Sequence, residues 1–264
     1  MKKNRRFGSK SLSAFSAAAL LLSTSPMFAG EVTVTSGPTI TPVVELYTSE
    51  GCSSCPPADE WISKLGTTLS EEFHAVPLAF HVDYWNRLGW PDPYSDAAYT
   101  ERQKVLAVLN RQRSIYTPEF LVSGEETPGT NKVVSAIVSA NEKLAPVTIT
   151  YGVRSEAGQI VADMSILNSV EEALLYLVVY ESDIVREIGA GENRGRTLHH
   201  DFVVRHWQKV DTLKSGNYEK QHNVPIGEDW EQQNLGFAVM VFDPKNGATL
   251  QALRTPLEEV FAPG

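Results

Sequence analysis

The chain has 264 residues, of which 23 are basic and 32 acidic, so its formal net charge at pH 7 is −9. Hydrophobic residues make up 42% of the sequence, which is enough apolar surface for a core and excludes a disordered or collagen-like chain. The acidic balance argues against nucleic-acid binding, because contacts to phosphates need clustered lysine and arginine.

Residues 1–29 have the pattern of a secretory signal peptide. Five basic residues precede an apolar stretch at residues 14–22, and the segment ends at Ala29. The stretch is too short for a membrane span, which needs about 20 residues. We therefore expect cleavage after Ala29, a periplasmic or secreted product, and no stable membrane insertion after cleavage. The cleaved chain would keep 18 basic and 32 acidic residues and carry a net charge of −14.

After an N-terminal linker expected at residues 30–41, the next elements are a strand, a cysteine pair and a helix. Residues 42–47 form an apolar run with β-branched Val43 and Val44, which is typical of a buried strand. The helix follows at residues 58–69, where apolar side chains recur at helical spacing. Between the two lies Cys52-Ser53-Ser54-Cys55, which contains both cysteines of the chain.

A disulfide between these two cysteines would close a very short loop. The chain-entropy estimate gives such a loop only about 2 kcal/mol, against nearly 5 kcal/mol for a loop of about 100 residues. Export would place the pair in an oxidising compartment. Redox or metal chemistry is therefore a better explanation of the pair than structural cross-linking.

Strands and helices continue to alternate as far as residue 145. The pattern predicts strands at residues 73–82 and directly after Thr117-Pro118, an aromatic loop at residues 84–94, and helices at residues 96–110 and 131–144. A strand, a C-x-x-C motif and a helix within this order indicate a thioredoxin-like redox unit. In such a unit a cis proline faces the cysteines, so we expect a cis peptide bond before Pro118.

The sequence pattern changes after Pro146. Short apolar and alternating segments, separated by turns such as Asn246-Gly247, indicate several antiparallel strands. We therefore predict an α/β thioredoxin-like domain at residues 42–145, followed by a mainly antiparallel, sandwich-like β domain at residues 146–264.

Three segments resemble a family of exported bacterial proteins known as domain of unknown function 1223. They lie at residues 45–59, at residues 81–94 and at residues 192–205, and the likeness covers most of the cleaved chain. The resemblance implies a thioredoxin-like fold and an exported location. It implies no substrate, because no activity is established for the family.

The chemistry that these residues permit is thiol-disulfide exchange. We assign Cys52 as the exposed nucleophile, because free N–H groups at a helix N-terminus lower the pKa of a thiol, and Cys55 as the resolving thiol. Ser53 and Ser54 can donate hydrogen bonds to a thiolate. Glu45 becomes a proton acceptor only if a bulge turns it toward the cysteines, and is otherwise a surface or loop-bonded carboxylate.

Four further residues are candidates for supporting the cysteines. His81 and Asp83 lie where the second parallel strand is expected to end, the edge at which α/β sheets bind ligands, and either could move protons. Trp85 could form an apolar platform for a partner peptide, and Thr117 precedes the proline. The alternative is that His81 is a hydrogen-bonded core residue and that Trp85 packs between domains.

These residues predict an exported thioredoxin-like protein that exchanges thiols and disulfides with protein partners and uses no cofactor or metal. One alternative is a non-catalytic partner-binding module with a permanent Cys52–Cys55 disulfide. Another is a zinc or copper binder, in which the two thiolates act with His81, His199 or His200. Covalent c-type haem is excluded, because Pro56 stands where the required histidine would be.

Overall fold

The computed structural model describes residues 30–68 and 73–262, so the signal peptide expected at residues 1–29 lies outside the described residues. The helices are α1 Pro56–Thr68, α2 Ala97–Leu109 and α3 Thr130–Asn141. The strands are β1 Val32–Thr35, β2 Val43–Thr48, β3 Val76–His81, β4 Glu119–Val122, β5 Glu125–Glu126, β6 Val147–Glu156, β7 Gln159–Glu181, β8 Ile184–Glu187, β9 Thr197–His200, β10 Val203–Pro225, β11 Leu235–Phe242 and β12 Thr249–Pro256. A short 3₁₀ helix, Asp83–Leu88, follows β3.

Ten of the strands belong to one large mixed sheet, and β8 and β9 form a separate hairpin. The sheet order is β1-β6-β7-β10-β3-β2-β4-β5, with β11 paired to β7 and β12 paired to β11. Strands make up 46% and helices 19% of the residues that the structure describes. The predicted fold class, an α/β thioredoxin-like domain followed by a sandwich-like β domain, is therefore wrong, because strands from both halves of the chain continue a single sheet.

β10 is the strand that joins the two halves. It pairs antiparallel with β7 along almost its whole length. At its start Val203 pairs in parallel with Ala79 of β3, and the N–H of Ala79 donates to the carbonyl of Phe202 at 2.8 Å. The sequence pattern did not predict this junction, because local periodicity reports that a strand exists and not which distant strand it meets.

β11 and residues 173–181 of β7 are covered on both faces. Along β7, Leu175, Leu177 and Val179 enter one apolar cluster. Val178 and Tyr180 enter a second cluster, which also contains side chains of β2, β3 and α1. Side chains of β11 alternate between the same two clusters. Strands with both faces covered are apolar in continuous runs, and these two form the wall between the two cores.

The cysteines lie at the carboxyl ends of β2 and β3. These two strands are buried and pair in parallel, with Thr48 opposite His81. From Thr48 the chain passes through residues 49–55 into α1, and β9 packs against α1. Among residues 30–68 and 73–262, no helix is both long and apolar enough to cross a membrane.

Candidate functional site

A disulfide joins Cys52 and Cys55 at the start of α1. Their Cα atoms are 5.4 Å apart, and only three positions separate them in sequence. The N–H groups of Ala58 and Asp59 donate to the carbonyl of Cys55 at 2.8 and 3.1 Å, so the first helical turn begins at this cysteine. Both cysteines are 0% exposed, whereas Cys52 was predicted to be the exposed nucleophile.

The two serines between the cysteines are exposed. The hydroxyl of Ser54 donates to Cys52 Sγ at 3.4 Å, since a disulfide sulfur carries no hydrogen. The N–H of Ser53 donates to the carboxylate of Glu192 at 3.2 Å. The hydroxyl of Ser53 and, to a smaller extent, its N–H hold the pKa of Glu192 below its usual range. The outer side of the cysteine loop is thus polar and tied to a residue of the second half of the chain.

Residues 189–196 cross the cysteine loop, and we call this segment the strap. The amide of Asn193, which is 0% exposed, donates to the carbonyls of Glu50 and Cys52 at 2.8 and 2.9 Å. Trp90 packs against the strap so closely that a Cβ at Gly191 would lie 3.0 Å from the Cβ of Trp90. The glycines of the strap therefore permit this approach. Sequence reasoning did not single out Asn193, although it lies within the third family-like segment.

Beneath the cysteine loop lie five buried polar side chains, which we call the buried cluster: Glu50, Asp59, His81, Asp92 and His200. His81 Nδ1 and Asp92 Oδ2 are 2.7 Å apart, and the N–H of Glu50 donates to the same oxygen at 2.8 Å. The indole N–H of Trp90 donates to Glu50 Oε2 at 2.7 Å. His200 Nε2 lies 3.5 Å from Glu50 Oε1.

Burial, neighbouring charges and hydrogen bonds shift the pKa values of three members of the buried cluster. Burial raises the pKa of Asp59 above its usual value, against the lowering effect of His200 and His81. Burial alone would lower the pKa of His81, but the charge and hydrogen bond of Asp92 raise it. The pKa of Asp92 is lowered, because His81 and the N–H donors of Glu50 and Tyr94 outweigh the effect of burial. His81 and Asp92 thus form a buried ion pair.

Glu45 is engaged away from the cysteines. Its carboxylate receives two hydrogen bonds from Arg102 of α2, at 2.8 and 2.6 Å, and a third from the hydroxyl of Tyr47 at 2.8 Å. β2 pairs with β3 residue by residue from Val43 to Thr48, so no bulge turns Glu45 in this strand. Its geometry is that of a buried ion-pair partner of α2.

The remaining predicted residues connect loops around the site. The Thr117-Pro118 peptide bond is cis, and the indole N–H of Trp85 donates to the hydroxyl of Thr117 at 2.8 Å. A Cβ at Gly51 would lie 3.1 Å from the Cβ of Trp85, so this tryptophan lies between the cysteine loop and the proline loop. Asp83 accepts a 2.6 Å hydrogen bond from Thr100 of α2. Trp85 is half-buried and belongs to the wall of the site.

The metal-binding alternative receives no support from the geometry. Both sulfurs are bonded to each other, and in the parts of the chain that are described no three His, Cys, Asp or Glu side chains are arranged to hold a metal ion. His199 is exposed, whereas His200 is buried, because successive residues of β9 point to opposite sides.

Two solved structures are similar to this chain. Protein AGR_C_4864 from Agrobacterium tumefaciens is 21% identical with a TM-score of 0.63, and the match covers 87% of this chain and 100% of that one. HBP35 of Porphyromonas gingivalis is 18% identical with a TM-score of 0.61, over 84% of this chain and 76% of that one. At these identities the likeness shows a related fold. No curated protein matches the chain.

The family comparison covers both the cysteine loop and the strap. The model of a protein family of unknown function, DUF1223, matches residues 43–242. The matched range contains Cys52, Cys55, Asn193 and the whole buried cluster. It also spans both predicted domains, in agreement with the single sheet. The chain belongs to the DUF1223 family.

Proposed function

We propose that this chain is a thiol-disulfide exchange protein of the periplasm or the secreted space, with Cys52 and Cys55 as its redox couple. The observation that carries the proposal is the disulfide itself, which closes the turn directly before α1 and joins residues only three positions apart. The chain-entropy estimate assigns such a loop about 2 kcal/mol, a small gain for a chain with two apolar clusters. The signal-like N-terminus supports export, where such a pair can be oxidised.

The exchange would proceed in two steps with protein disulfides or thiols as partners. The thiolate of Cys52 attacks a partner disulfide, one partner sulfur leaves as a thiolate, and a mixed disulfide forms. Cys55 then attacks Cys52 Sγ, closes the internal disulfide and releases the second partner sulfur as a thiolate. Two electrons pass to the partner, and the reverse sequence oxidises a partner dithiol. The dipole of α1 and the hydroxyl of Ser54 would stabilise the thiolate.

Exchange requires the strap to move, because neither cysteine is exposed while the strap lies across the cysteine loop. The strap is tied to the cysteine loop by hydrogen bonds of Asn193 and Glu192. Hydrogen bonds of this kind contribute only about 1 kcal/mol each, since water replaces them when they open. Opening of the strap therefore costs less than unfolding of the sheet beneath it.

The burial of both cysteines also favours a second candidate, the binding module with a permanent disulfide. In that protein the disulfide would hold the turn before α1, and the aromatic residues Tyr84 and Trp85 would offer a recognition surface. The reduction potential separates the two candidates. A couple more negative than about −300 mV favours the permanent disulfide, and a value of about −120 to −270 mV favours exchange.

Trapping of partners tests the exchange directly. In the exported protein, Cys55→Ser should accumulate mixed disulfides on Cys52, because the resolving thiol is missing. The double variant Cys52→Ser/Cys55→Ser is the matched control and should trap nothing. If Cys55→Ser traps no partner and the couple is also more negative than about −300 mV, the exchange proposal is wrong.

A further inference from the structure

The buried cluster leaves an unusual number of polar atoms without a hydrogen bond. In the described part of the chain, Asp59 Oδ1, His81 Nε2, Glu50 Oε1 and both ring nitrogens of His200 are buried without a hydrogen-bond partner. A buried polar atom without a hydrogen bond costs free energy, and Glu50 Oε1 has only longer ion-pair contacts, at 3.5 Å to His200 Nε2 and 3.6 Å to Arg186 Nε. Such a concentration at one place is a reason to look for a function, because satisfied polar groups are the rule in protein interiors.

Asp59 is the member of the buried cluster that lies in α1, one helical turn after Cys55. It follows Cys55 by four positions, and its N–H donates to the carbonyl of Cys55 at 3.1 Å. Residues four apart lie one above the other on a helix face, and helical side chains lean toward the N-terminus. The carboxyl of Asp59 therefore leans toward the side of the helix on which Cys55 lies. Both residues are buried, Asp59 at 5% exposure and Cys55 at 0%.

Groups from several elements face Asp59. Thr48 at the end of β2, His81 at the end of β3 and His200 at the end of β9 act on its carboxyl, and Asp92 adds a more distant negative charge. The rings of His81 and His200 are 5.1 Å apart. Glu50 Oε1 is 3.6 Å from Nε of Arg186 on β8. Two imidazoles thus lie beside the Asp59 carboxyl, and both favour its charged form.

A cavity connects Asp59 with solvent. It measures about 250 Å³ between α1 and β9, and its lining includes Asp59 and Pro56 on one side and Thr197 and His199 on the other. Glu60, which also lines the cavity, is neutralised by Lys64 at 2.6 Å. A space of this size holds several water molecules, whose share of liquid volume is about 30 Å³ each. A proton that reaches Asp59 therefore has a route out of the protein.

We propose that Asp59 is the proton acceptor for the Cys55 thiol. This inference rests on the proposed exchange function and names the proton route of its second step. Once Cys52 carries the mixed disulfide, the Cys55 proton passes to the Asp59 carboxylate. The Cys55 thiolate attacks Cys52 Sγ, the bond between Cys52 and the partner breaks, and the partner leaves as a thiolate. Asp59 returns its proton to the water of the cavity.

A comparison of the pKa values of the two groups supports this role. An ordinary thiol ionises with a pKa of about 8.5, far above that of an ordinary aspartic acid at about 3.9. Burial raises the pKa of Asp59, which brings the two groups closer and makes the proton transfer less unfavourable. A carboxylate that acted only through its charge would oppose ionisation of Cys55.

The test follows the two steps separately. Reduced protein is mixed with dithiobisnitrobenzoate, an aromatic disulfide: attack by Cys52 releases one coloured thiolate, and attack by Cys55 on the mixed disulfide releases the second. In Asp59→Asn we expect the first release at the wild-type rate and the second slowed about 100-fold at neutral pH. In the wild type the second rate should fall only below the pKa of Asp59, whereas in Asp59→Asn it should already fall as the pH drops below the ordinary thiol pKa of about 8.5. Glu101→Gln, an exposed carboxylate on α2 that does not line the cavity, is the matched control and should keep both rates.

The possible results are distinct. If the wild type releases no second thiolate, the exchange function itself fails. If the wild type releases both while Asp59→Asn matches Glu101→Gln or is faster, only the role of Asp59 is wrong, because loss of a mere negative charge would lower the pKa of the Cys55 thiol and speed its attack. If Asp59→Asn does not fold, Asp59→Glu must keep the second release and must lose rate only at low pH, and a second rate that already falls below about pH 8.5 overturns the proposal.

Discussion

The side-chain amide of Asn193 donates hydrogen bonds to two backbone carbonyls of the cysteine loop, and a substitution at this residue tests what those bonds contribute. Replacing it by alanine removes the donors to Glu50 and Cys52 and leaves both carbonyls without them. We expect a loss of about 1–3 kcal/mol in the free energy of unfolding and reduction of the disulfide by a soluble phosphine at least about 10-fold faster. Arg194→Ala, exposed in the same strap, should change neither. Equal reduction rates in the two variants would mean that the strap does not limit access.

The His81–Asp92 pair makes a prediction about pH. The folded pKa of His81 is raised, so its contribution is complete below about 6.5 and declines as pH rises toward the folded value. The folded pKa of Asp92 is lowered, so its contribution is complete above about 3.9 and declines as pH falls. The pair therefore stabilises the fold most between about pH 4 and pH 6.5.

His81→Gln tests this window. The difference in melting temperature between wild type and variant should be largest between about pH 4 and pH 6.5 and should shrink as pH rises above that range. Thermal unfolding at a series of pH values at constant salt measures it. His206→Gln, at a less buried position on β10, should give a difference that does not follow this profile. A wild-type advantage that grows above pH 6.5 would show that His81 is neutral in the folded protein.

At the scale of elements, the side chain of Arg102 connects α2 to the sheet. Its guanidinium binds Glu45 of β2 and lies 4.3 Å from the ring centre of Trp207 on β10 and 4.9 Å from that of Phe242 on β11. Arg102→Met should cost roughly 3–5 kcal/mol in the free energy of unfolding, because Glu45 remains buried without its partner. Denaturant titration measures this cost, and Lys104→Met, exposed on the same helix, is the control.

The double variant Arg102→Met/Glu45→Leu separates charge from packing. Removing both charges should recover much of the stability, since no unpaired carboxylate then remains in the core. If the double variant is no more stable than Arg102→Met alone, the aromatic contacts of Arg102 and not its ion pair hold α2 in place.

The sequence predicted the elements near the site better than their assembly. The strands and helices around Cys52 and Cys55 lie close to their predicted positions, because their apolar periodicity is local. The partner of Glu45 was not predicted, since Arg102 is 57 positions away and no local pattern links them. Asn193 was missed for the same reason, being 141 positions from Cys52. The helical spacing of Cys55 and Asp59 was the one signal that could have identified the buried acid.

At the scale of the whole molecule, one core serves both halves of the chain. The cluster that packs around β2, β3 and α1 also contains Val178 and Tyr180 of β7, Ala238 and Met240 of β11, and Ala252 of β12. The ring of Tyr180 lies where a side chain at position 236 would be, since a Cβ on Gly236 would stand 2.0 Å from it. The elements that carry the cysteines therefore owe part of their packing to residues far along the chain.

This shared core predicts that residues 30–145 do not fold alone. Without β7, β10 and β11 the fragment would expose the face that Val178 and Met240 cover and the edge of β3 that pairs with Val203. Buried aliphatic side chains contribute about 1.5–3 kcal/mol each, so losing several of them exceeds the margin of an ordinary domain. We expect the fragment to lack near-ultraviolet circular dichroism and dispersed amide signals, while residues 30–264 unfold in one transition. A fragment that keeps native amide dispersion would restore the predicted boundary at residue 145 as a division between independent folding units.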